Sequence, residues 1–104
     1  ILLERRDLKF DSVVASDDGL AVGAIKYANA KLLKVPEDLC ITGFNNSVLS
    51  TCCEPELSSV DNRVEELCRL TIEHTMMVLQ GKKEEVPLKS QVPCRLVKRC
   101  TTDF

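Results

Sequence analysis

The stretch from Phe10 to Phe44, FDSVVASDDGLAVGAIKYANAKLLKVPEDLCITGF, contains two short apolar runs separated by an amphipathic segment. Residues 10–15 and 39–43 have the length and the β-branched content of buried strands. From 20 to 32 the apolar side chains recur at the spacing of one helix face, which predicts a helix. Asp17 or Asp18 is predicted to cap it. The apolar residues of that face are Ala21, Ala24, Ile25, Ala28 and Leu32. Because a right-handed crossover joins two strands through one helix, the stretch predicts parallel strands in an α/β fold.

The chain after Phe44 is predicted to be irregular to about Glu56 and extended again over residues 57–60. Near the end, residues 89–93 and 95–99 are predicted to form two short extended stretches.

A second helix is predicted to open at Asn62. The Asn62 side chain can accept from the free amides of the first turn while Glu65 reaches back, in a capping-box arrangement. The predicted buried face of this helix comprises Val64, Leu67, Cys68, Ile72, Met76 and Leu79. Gly81 ends the helix because glycine adopts a left-handed conformation easily.

Size and charge limit the classes of function. The chain has 104 residues, 44% of them hydrophobic, and a formal net charge of −2. No run approaches the roughly 18 apolar residues that a membrane helix needs, and the overall charge offers no basic surface for nucleic acid.

The chain starts at Ile1, and residues 1–6 are typical of the last turns of an amphipathic helix, so we expect a piece of a longer chain.

Six cysteines lie among strand and helix patterns without a secretory leader, which favours reduced thiols in the cytoplasm over a disulfide framework. No Cys-x-x-Cys pair is present, and His74 is the only histidine. Zinc-ligand spacing is therefore missing. The sequence predicts no metal site, no cofactor and no catalysis.

Five short motifs occur in order along the chain. They are Asp17-Asp18-Gly19-Leu20-Ala21-Val22-Gly23, Val35-Pro36-Glu37-Asp38, Gly43-Phe44-Asn45-Asn46, Pro55-Glu56-Leu57-Ser58-Ser59-Val60 and Leu96-Val97-Lys98-Arg99-Cys100-Thr101. Together they resemble the effector-binding domain of LacI/GalR bacterial transcriptional regulators, whose motifs are Asn-Asp-x-x-Ala-x-Gly, Val-Pro-Glu-Asp, Gly-Phe-Asp-Asp, Pro-x-Leu-Thr-Thr-Val and Leu-Val-x-Arg-x-Ser/Thr. The resemblance implies the periplasmic-binding-protein-like type I fold, with three-layer αβα lobes around parallel sheets, here as an incomplete fragment.

The resemblance also implies how the chain divides between two lobes. Residues 1–60 and 94–104, approximately, would belong to the C-terminal lobe, and about 64–92 would return to the N-terminal lobe. The family's helix-turn-helix domain is absent from this sequence. Operator DNA would therefore be a partner only through a domain that lies elsewhere.

A homodimer is a further implication of the resemblance. The helix with Leu20 and Val22 and the loop with Cys53 correspond to the family's dimer surface.

Leu32 stands where relatives often have a left-handed glycine, a conformation that is unfavourable for leucine. We therefore expect this helix to continue by a turn.

Four positions match places where the family contacts or encloses its effector. Asp17 replaces a ligand-contacting Asn and Asn45 replaces a ligand-contacting Asp, so the two identities are exchanged. Asn62 matches a contact at the hinge, and Phe44 is a candidate wall of the cleft. A carboxylate accepts from hydroxyl groups while an amide both donates and accepts, so the set suits a neutral sugar or polyol. Local alternatives are helix caps for Asp17 and Asn62, a turn for Asn45 and the core for Phe44.

The resulting prediction is the small-molecule-sensing part of a transcriptional regulator, in which ligand-induced lobe closure controls operator binding. A periplasmic sugar-binding protein of a transporter is one alternative, and it would need export. A sensor module of the same fold fused to another output domain is a second. A phospho-receiver domain would use Asp17-Asp18 as its acidic pair, but Gly43 and Ser59 occupy the later strand ends where it needs an Asp.

Overall fold

The computed structural model describes residues 9–103, so the helix predicted over residues 1–6 lies outside the described residues. The helices are α1 (Asp18–Ala30), α2 (Leu49–Cys52) and α3 (Val64–Leu79). The strands are β1 (Ser12–Val14), β2 (Cys40–Phe44), β3 (Ser58–Asp61) and β4 (Arg95–Val97), and two 3-10 turns cover Lys83–Glu85 and Cys100–Thr102. None of the helices in the described part combines the length and apolar character needed to span a bilayer.

The four strands form one sheet in the order β1-β2-β3-β4. β1 and β2 are parallel, with Val13 beside Ile41. β2 and β3 are also parallel, with Gly43 beside Ser59. β4 pairs antiparallel with β3. The predicted α/β fold with parallel neighbours is confirmed, and β4 adds an antiparallel edge that the sequence did not predict.

Helix α1 packs its apolar face against the sheet. The buried apolar residues of this core are Ala21, Ala24, Ile25, Ala28, Leu39, Ile41 and Leu57. At the start of the helix, Asp17 Oδ1 accepts from the Leu20 amide at 2.7 Å. The prediction that Asp17 or Asp18 caps this helix is therefore confirmed, with Asp17 as the cap.

The end of α1 differs from the prediction. The helix stops at Ala30, and Leu32 has a left-handed φ of 59°. The Leu33 amide donates to the Ala28 carbonyl at 2.9 Å, so a hydrogen bond across the helix end accompanies the left-handed residue. The expected extra turn is therefore wrong. The Leu32 side chain is 89% exposed and does not belong to the buried face.

Replacing Leu32 by glycine is expected to stabilise the protein. Glycine adopts the left-handed conformation without the steric cost that leucine incurs, about 1 kcal/mol, and the exposed side chain contributes no burial. Urea denaturation of Leu32→Gly should show a gain of up to about 1 kcal/mol in the free energy of unfolding. Leu88→Gly removes another fully exposed leucine, at a position without a positive φ, and should show no gain. Equal effects of the two variants would contradict the strain at Leu32.

Helix α3 begins differently from the predicted capping box. Its first residue is Val64, and the preceding Arg63 is left-handed, with φ 55° and no side-chain cap. The Arg63 amide donates to Asp61 Oδ1 at 2.8 Å, and Asn62 Nδ2 donates to Asn45 Oδ1 at 3.0 Å. The capping box of Asn62 and Glu65 is therefore wrong, because the Asn62 side chain is hydrogen-bonded to the neighbouring strand end.

The apolar face of α3 is not covered by the described residues. None of the sixteen residues of the helix is buried. The exposed residues of the predicted face are Val64, Leu67, Cys68, Ile72, Met76 and Leu79. The prediction that this face is buried is wrong for the described part of the chain, although Gly81 follows the helix with the expected positive φ of 80°.

Two further segments differ from their predictions. Helix α2 forms in the region predicted to be irregular, where the Ser50 hydroxyl donates to the Ser47 carbonyl at 2.6 Å. Residues 89–93 form no strand, and Pro93 among them lacks the amide that a strand ladder uses. Only Arg95–Val97 of the following stretch pairs with the sheet.

Candidate functional site

A cleft of about 580 Å³ opens where β2 and β3 end and α3 begins. It is lined by Asn45, Asn46, Asp61, Arg63, Val64, Glu65, Glu66 and Arg95. The carboxyl ends of parallel strands are the usual ligand-binding edge of an α/β sheet. Of the four residues predicted to contact the effector, Asn45 lies in this lining.

Asn45 and Asn62 lie in direct contact at this edge. Asn62 Nδ2 donates to Asn45 Oδ1 at 3.0 Å, while Asn62 Oδ1 is buried and has no hydrogen-bond partner in the described part of the chain. Asn45 has a φ of 96°, and its amide donates to the Val60 carbonyl at 2.9 Å. The amide pair therefore links the end of β2 to the segment between β3 and α3.

Asp17 and Phe44 are placed outside the cleft lining. The Asp17 carboxylate is hydrogen-bonded to the Leu20 amide as the helix cap. Phe44 is half-buried at the last position of β2. The structure thus brings Asn45 and Asn62 together, and it does not bring Asp17 into the same hollow as Asn45.

Asp18, which the sequence offered only as an alternative cap, is the buried hydrogen-bond centre behind the cleft. Its side chain is 1% exposed. Asp18 Oδ2 accepts from the Ser47 amide at 2.6 Å and the Ser47 hydroxyl at 2.7 Å, and Oδ1 accepts from the Ser59 hydroxyl at 2.6 Å. One carboxylate therefore holds the loop after β2 and the middle of β3 against the start of α1.

Hydrogen bonds continue from this centre to the end of the chain. The Asn46 amide donates to Ser59 Oγ at 2.9 Å, and Asn46 Oδ1 accepts from Arg99 at 2.7 Å. Arg99 also donates to the Leu57 carbonyl at 2.8 Å. Thr101 is fully buried, and its hydroxyl accepts from the Ser58 amide at 2.8 Å. The last motif of the sequence thus has a structural role beside the cleft.

The charged residues of the cleft were missed by the sequence analysis. Asp61 and Arg95 are opposite each other in the β3–β4 register, with Arg95 Nη2 3.3 Å from Asp61 Oδ2. The pKa of Asp61 is held below its usual value, chiefly by the hydrogen bond from the Arg63 amide. The charge of Arg95 and its hydrogen bond to Asp61 lower the pKa further. The pair could have been found only from the register of β3 and β4, which places Asp61 opposite Arg95. Because the antiparallel pairing of β4 was not predicted, this register was not available.

Glu66 is the other cleft carboxylate with a partner. It forms an ion pair with Arg69 one turn along α3, and hydrogen bonds from Arg69 lower the pKa of Glu66. The lining therefore carries charges of both signs next to the amides of Asn45 and Asn46. Such a surface offers donors and acceptors without a single dominant charge.

A second hollow, of about 310 Å³, lies between α1 and the loop after α2. Val22 and Cys53, two of the three residues predicted at a dimer surface, line it. Leu20, the third, lies in the first turn of α1 and is 60% exposed. None of the three is one of the buried core residues, although Cys53 packs against that core.

Metal ligands do not cluster in this part of the molecule. Among residues 9–103, no group of three or more His, Cys, Asp or Glu side chains is arranged to hold a metal ion.

Comparison with known sequences places these features in a family. A model of the periplasmic binding protein-like domain matches residues 3–102. An HTH-type transcriptional regulator of Lachnoclostridium phytofermentans is 45% identical over 102 residues, which are 98% of this chain and 30% of that protein. The regulator AscG of Escherichia coli is 34% identical over 80 residues, which are 77% of this chain and 24% of that protein.

Solved structures show the same fold. A sugar-binding transcriptional regulator of the LacI family from Escherichia coli, complexed with phosphate, aligns with a TM-score of 0.82 at 29% identity, over 96% of this chain and 35% of that one. A complex of the transcriptional regulator CelR with cellobiose aligns with a TM-score of 0.78 at 25% identity, over 96% of this chain and 30% of that one.

The chain spans about a third or less of the length of these relatives. The family model nevertheless covers nearly all of it, residues 3–102. The chain belongs to the periplasmic binding protein-like domain family and corresponds to part of the effector-binding domain of LacI-type transcriptional regulators.

Proposed function

We propose that the cleft at Asn45 binds a neutral, hydroxyl-rich small molecule, a sugar or polyol, and that this chain is the sensing part of a transcriptional regulator without catalysis of its own. The observation that carries the proposal is the position of Asn45. It lies at the carboxyl end of β2, in the cleft, and is hydrogen-bonded to Asn62 beside the start of α3. Family membership makes this edge of the sheet the expected effector site.

The chemistry of the cleft supports a neutral ligand. The side-chain amide of Asn45 offers both a donor and an acceptor, which suits hydroxyl groups. The Asn46 oxygen already accepts from Arg99. Asp61, Glu65 and Glu66 oppose Arg63 and Arg95 in the lining. Because opposite charges are interspersed, a strongly charged ligand gains little net attraction there. Asp17 is the least supported of the proposed contacts, since its carboxylate already caps α1.

Asn62 connects a ligand at Asn45 with the hinge. Asn62 does not line the cleft and its Oδ1 is buried, so the connection runs through the hydrogen bond from Asn62 Nδ2 to Asn45 Oδ1. Such a contact would connect the end of β2 with the first turn of α3. This is the connection that a ligand-dependent movement of one lobe against the other requires.

Residues 1–60 and 94–104, approximately, are assigned to one lobe, and about 64–92 to the other. β3 and β4 lie side by side where the chain would cross between lobes, and the ion pair of Asp61 and Arg95 joins them. A homodimer through Leu20, Val22 and Cys53 would pass lobe closure to an operator-binding domain outside this chain. In this proposal the regulator acts in the cytoplasm.

Calorimetric titration of the full-length protein with matched neutral and anionic sugars tests the ligand class. Binding of at least one neutral sugar or polyol, with no binding of the corresponding sugar acids or phosphates, is the expected result. Exclusive binding of anionic ligands would overturn the proposal, because it would require a net positive site that the lining residues do not form.

Asn45→Gly is expected to weaken binding of that neutral ligand about tenfold, equivalent to about 1.4 kcal/mol. Glycine keeps the backbone at φ 96° without strain while it removes the side-chain amide. Gln91→Ala removes an exposed amide that does not line the cleft and should leave the affinity unchanged. Equal affinity of the Asn45→Gly variant and the unaltered protein, measured by calorimetry, would exclude Asn45 from the site.

A further inference from the structure

The cleft at the end of β2 and β3 is lined by two arginines that differ in their partners. Arg95 is paired with Asp61, with its Nη2 3.3 Å from Asp61 Oδ2. Among residues 9–103, the guanidinium of Arg63 has neither a hydrogen bond nor an ion pair, and only the Arg63 backbone amide is bonded. The Arg63 side chain therefore brings unused N–H donors to the cleft.

The backbone of Arg63 is held in a conformation that is unfavourable for arginine. Its φ of 55° and ψ of 56° lie in the left-handed region, which residues other than glycine enter at a steric cost. The Arg63 amide donates to Asp61 Oδ1 at 2.8 Å, and Asp61 is the last residue of β3. Strained backbone conformations of this kind concentrate at ligand-binding sites. Glycine or asparagine would fit this position more easily, so its arginine side chain points to a role in the cleft.

Arg63 lies next to the amide pair and to a cleft carboxylate. It directly follows Asn62, whose Nδ2 donates to Asn45 Oδ1 at 3.0 Å, and Asn45 and Arg63 line the same cleft. Glu66 is also in this lining. Hydrogen bonds from Arg69 chiefly lower the pKa of Glu66, and the charges of Arg69 and then Arg63 lower it further. The Arg63 guanidinium is therefore close enough to act on Glu66 without forming an ion pair with it.

We propose that Arg63 is a specificity-determining residue of the effector site, and that its guanidinium donates to two adjacent hydroxyl oxygens of a sugar or polyol. The inference rests on the proposed function and names the feature of the ligand that the site selects. A guanidinium presents its N–H donors as a rigid planar fork, which fits two neighbouring oxygen atoms. A hydroxyl that accepts from Arg63 keeps its own hydrogen to donate, and Glu66 supplies an acceptor in the same cleft.

The test combines Arg63→Lys with monodeoxy sugars in calorimetric titrations of the full-length protein. The probes are the neutral sugar that binds most tightly and its analogues that each lack one hydroxyl. Lysine keeps the charge but replaces the fork by a single ammonium group. Arg63→Lys should weaken binding of the parent sugar about tenfold, and of the two analogues that lack a recognised hydroxyl about threefold or less. Arg95→Lys, at the arginine already paired with Asp61, should affect the parent sugar and all analogues equally.

Arg63→Gly separates the side chain from the backbone. Glycine adopts a φ of 55° without steric cost, so the urea midpoint should not fall, while the affinity for the parent sugar should fall about tenfold. Equal affinity of Arg63→Lys, Arg63→Gly and the unaltered protein for the parent sugar would overturn this inference and leave the proposed function standing. So would an equal effect of Arg63→Lys on the parent sugar and every analogue. A protein that binds no neutral sugar or polyol would overturn both.

Discussion

Asp18→Ala is expected to lower the free energy of unfolding by about 3 kcal/mol or more. The substitution removes the acceptor of three hydrogen bonds, two from Ser47 and one from Ser59. Each buried donor left without an acceptor costs roughly 1–3 kcal/mol. Asp18 itself is 1% exposed, so water does not readily replace its carboxylate. Urea denaturation monitored by circular dichroism measures the loss.

Asp38→Ala is the matched control for this prediction. The Asp38 carboxylate also accepts a backbone hydrogen bond, from the Lys34 amide at 2.8 Å, but it is exposed and accepts only that one among residues 9–103. Its removal is expected to cost about 1 kcal/mol. Equal losses in the two variants would contradict the account of Asp18 as the hydrogen-bond centre behind the cleft.

Gly43→Ala is expected to destabilise the protein by about 3 kcal/mol, the upper part of the range for overpacked cores. A Cβ atom at Gly43 would lie 2.3 Å from Asp18 Oδ1, 2.8 Å from Leu57 Cδ2 and 3.3 Å from Asp18 Cα. The carboxylate cannot move aside without breaking its bonds to Ser47 and Ser59. The glycine therefore allows the close approach of α1 to the strand.

Gly23→Ala provides the opposite result in the same fold. Gly23 lies inside α1, and a Cβ atom there would have no described atom within 4 Å apart from its chain neighbours and the backbone of its own helix. Alanine should stabilise this position by roughly 0.5–1 kcal/mol because it restricts the unfolded chain more than glycine does. If both glycine variants changed stability in the same direction, the close packing at Gly43 would be wrong.

The elements that the sequence predicted well depend on local patterns. The period of α1 and the apolar runs of β1 and β2 place their side chains against one core, so each can be recognised within a short window. The start of α3 could not be predicted in this way. Asn62 has a good local capping pattern, but its amide bonds to Asn45, 17 residues earlier.

The two acidic residues at the start of α1 show the same limit. Asp17 and Asp18 are both acceptable caps by sequence, and only contacts 29 and 41 residues away, with Ser47 and Ser59, assign Asp18 to the interior. The predicted burial of the α3 face was wrong for a related reason. An amphipathic pattern indicates that a helix has a partner surface, but it does not say that the described residues contain it.

The position of the effector is the central claim, and the side-chain amide signals of Asn45 and Asn62 test it most directly. Nuclear magnetic resonance of ¹⁵N-labelled full-length protein can follow both NH₂ groups while the neutral ligand found by calorimetry is added. We expect both signals to shift together, with the dissociation constant that calorimetry gives. Ligand binding that leaves both signals unmoved would contradict the claim, because the ligand would then occupy a different part of the protein.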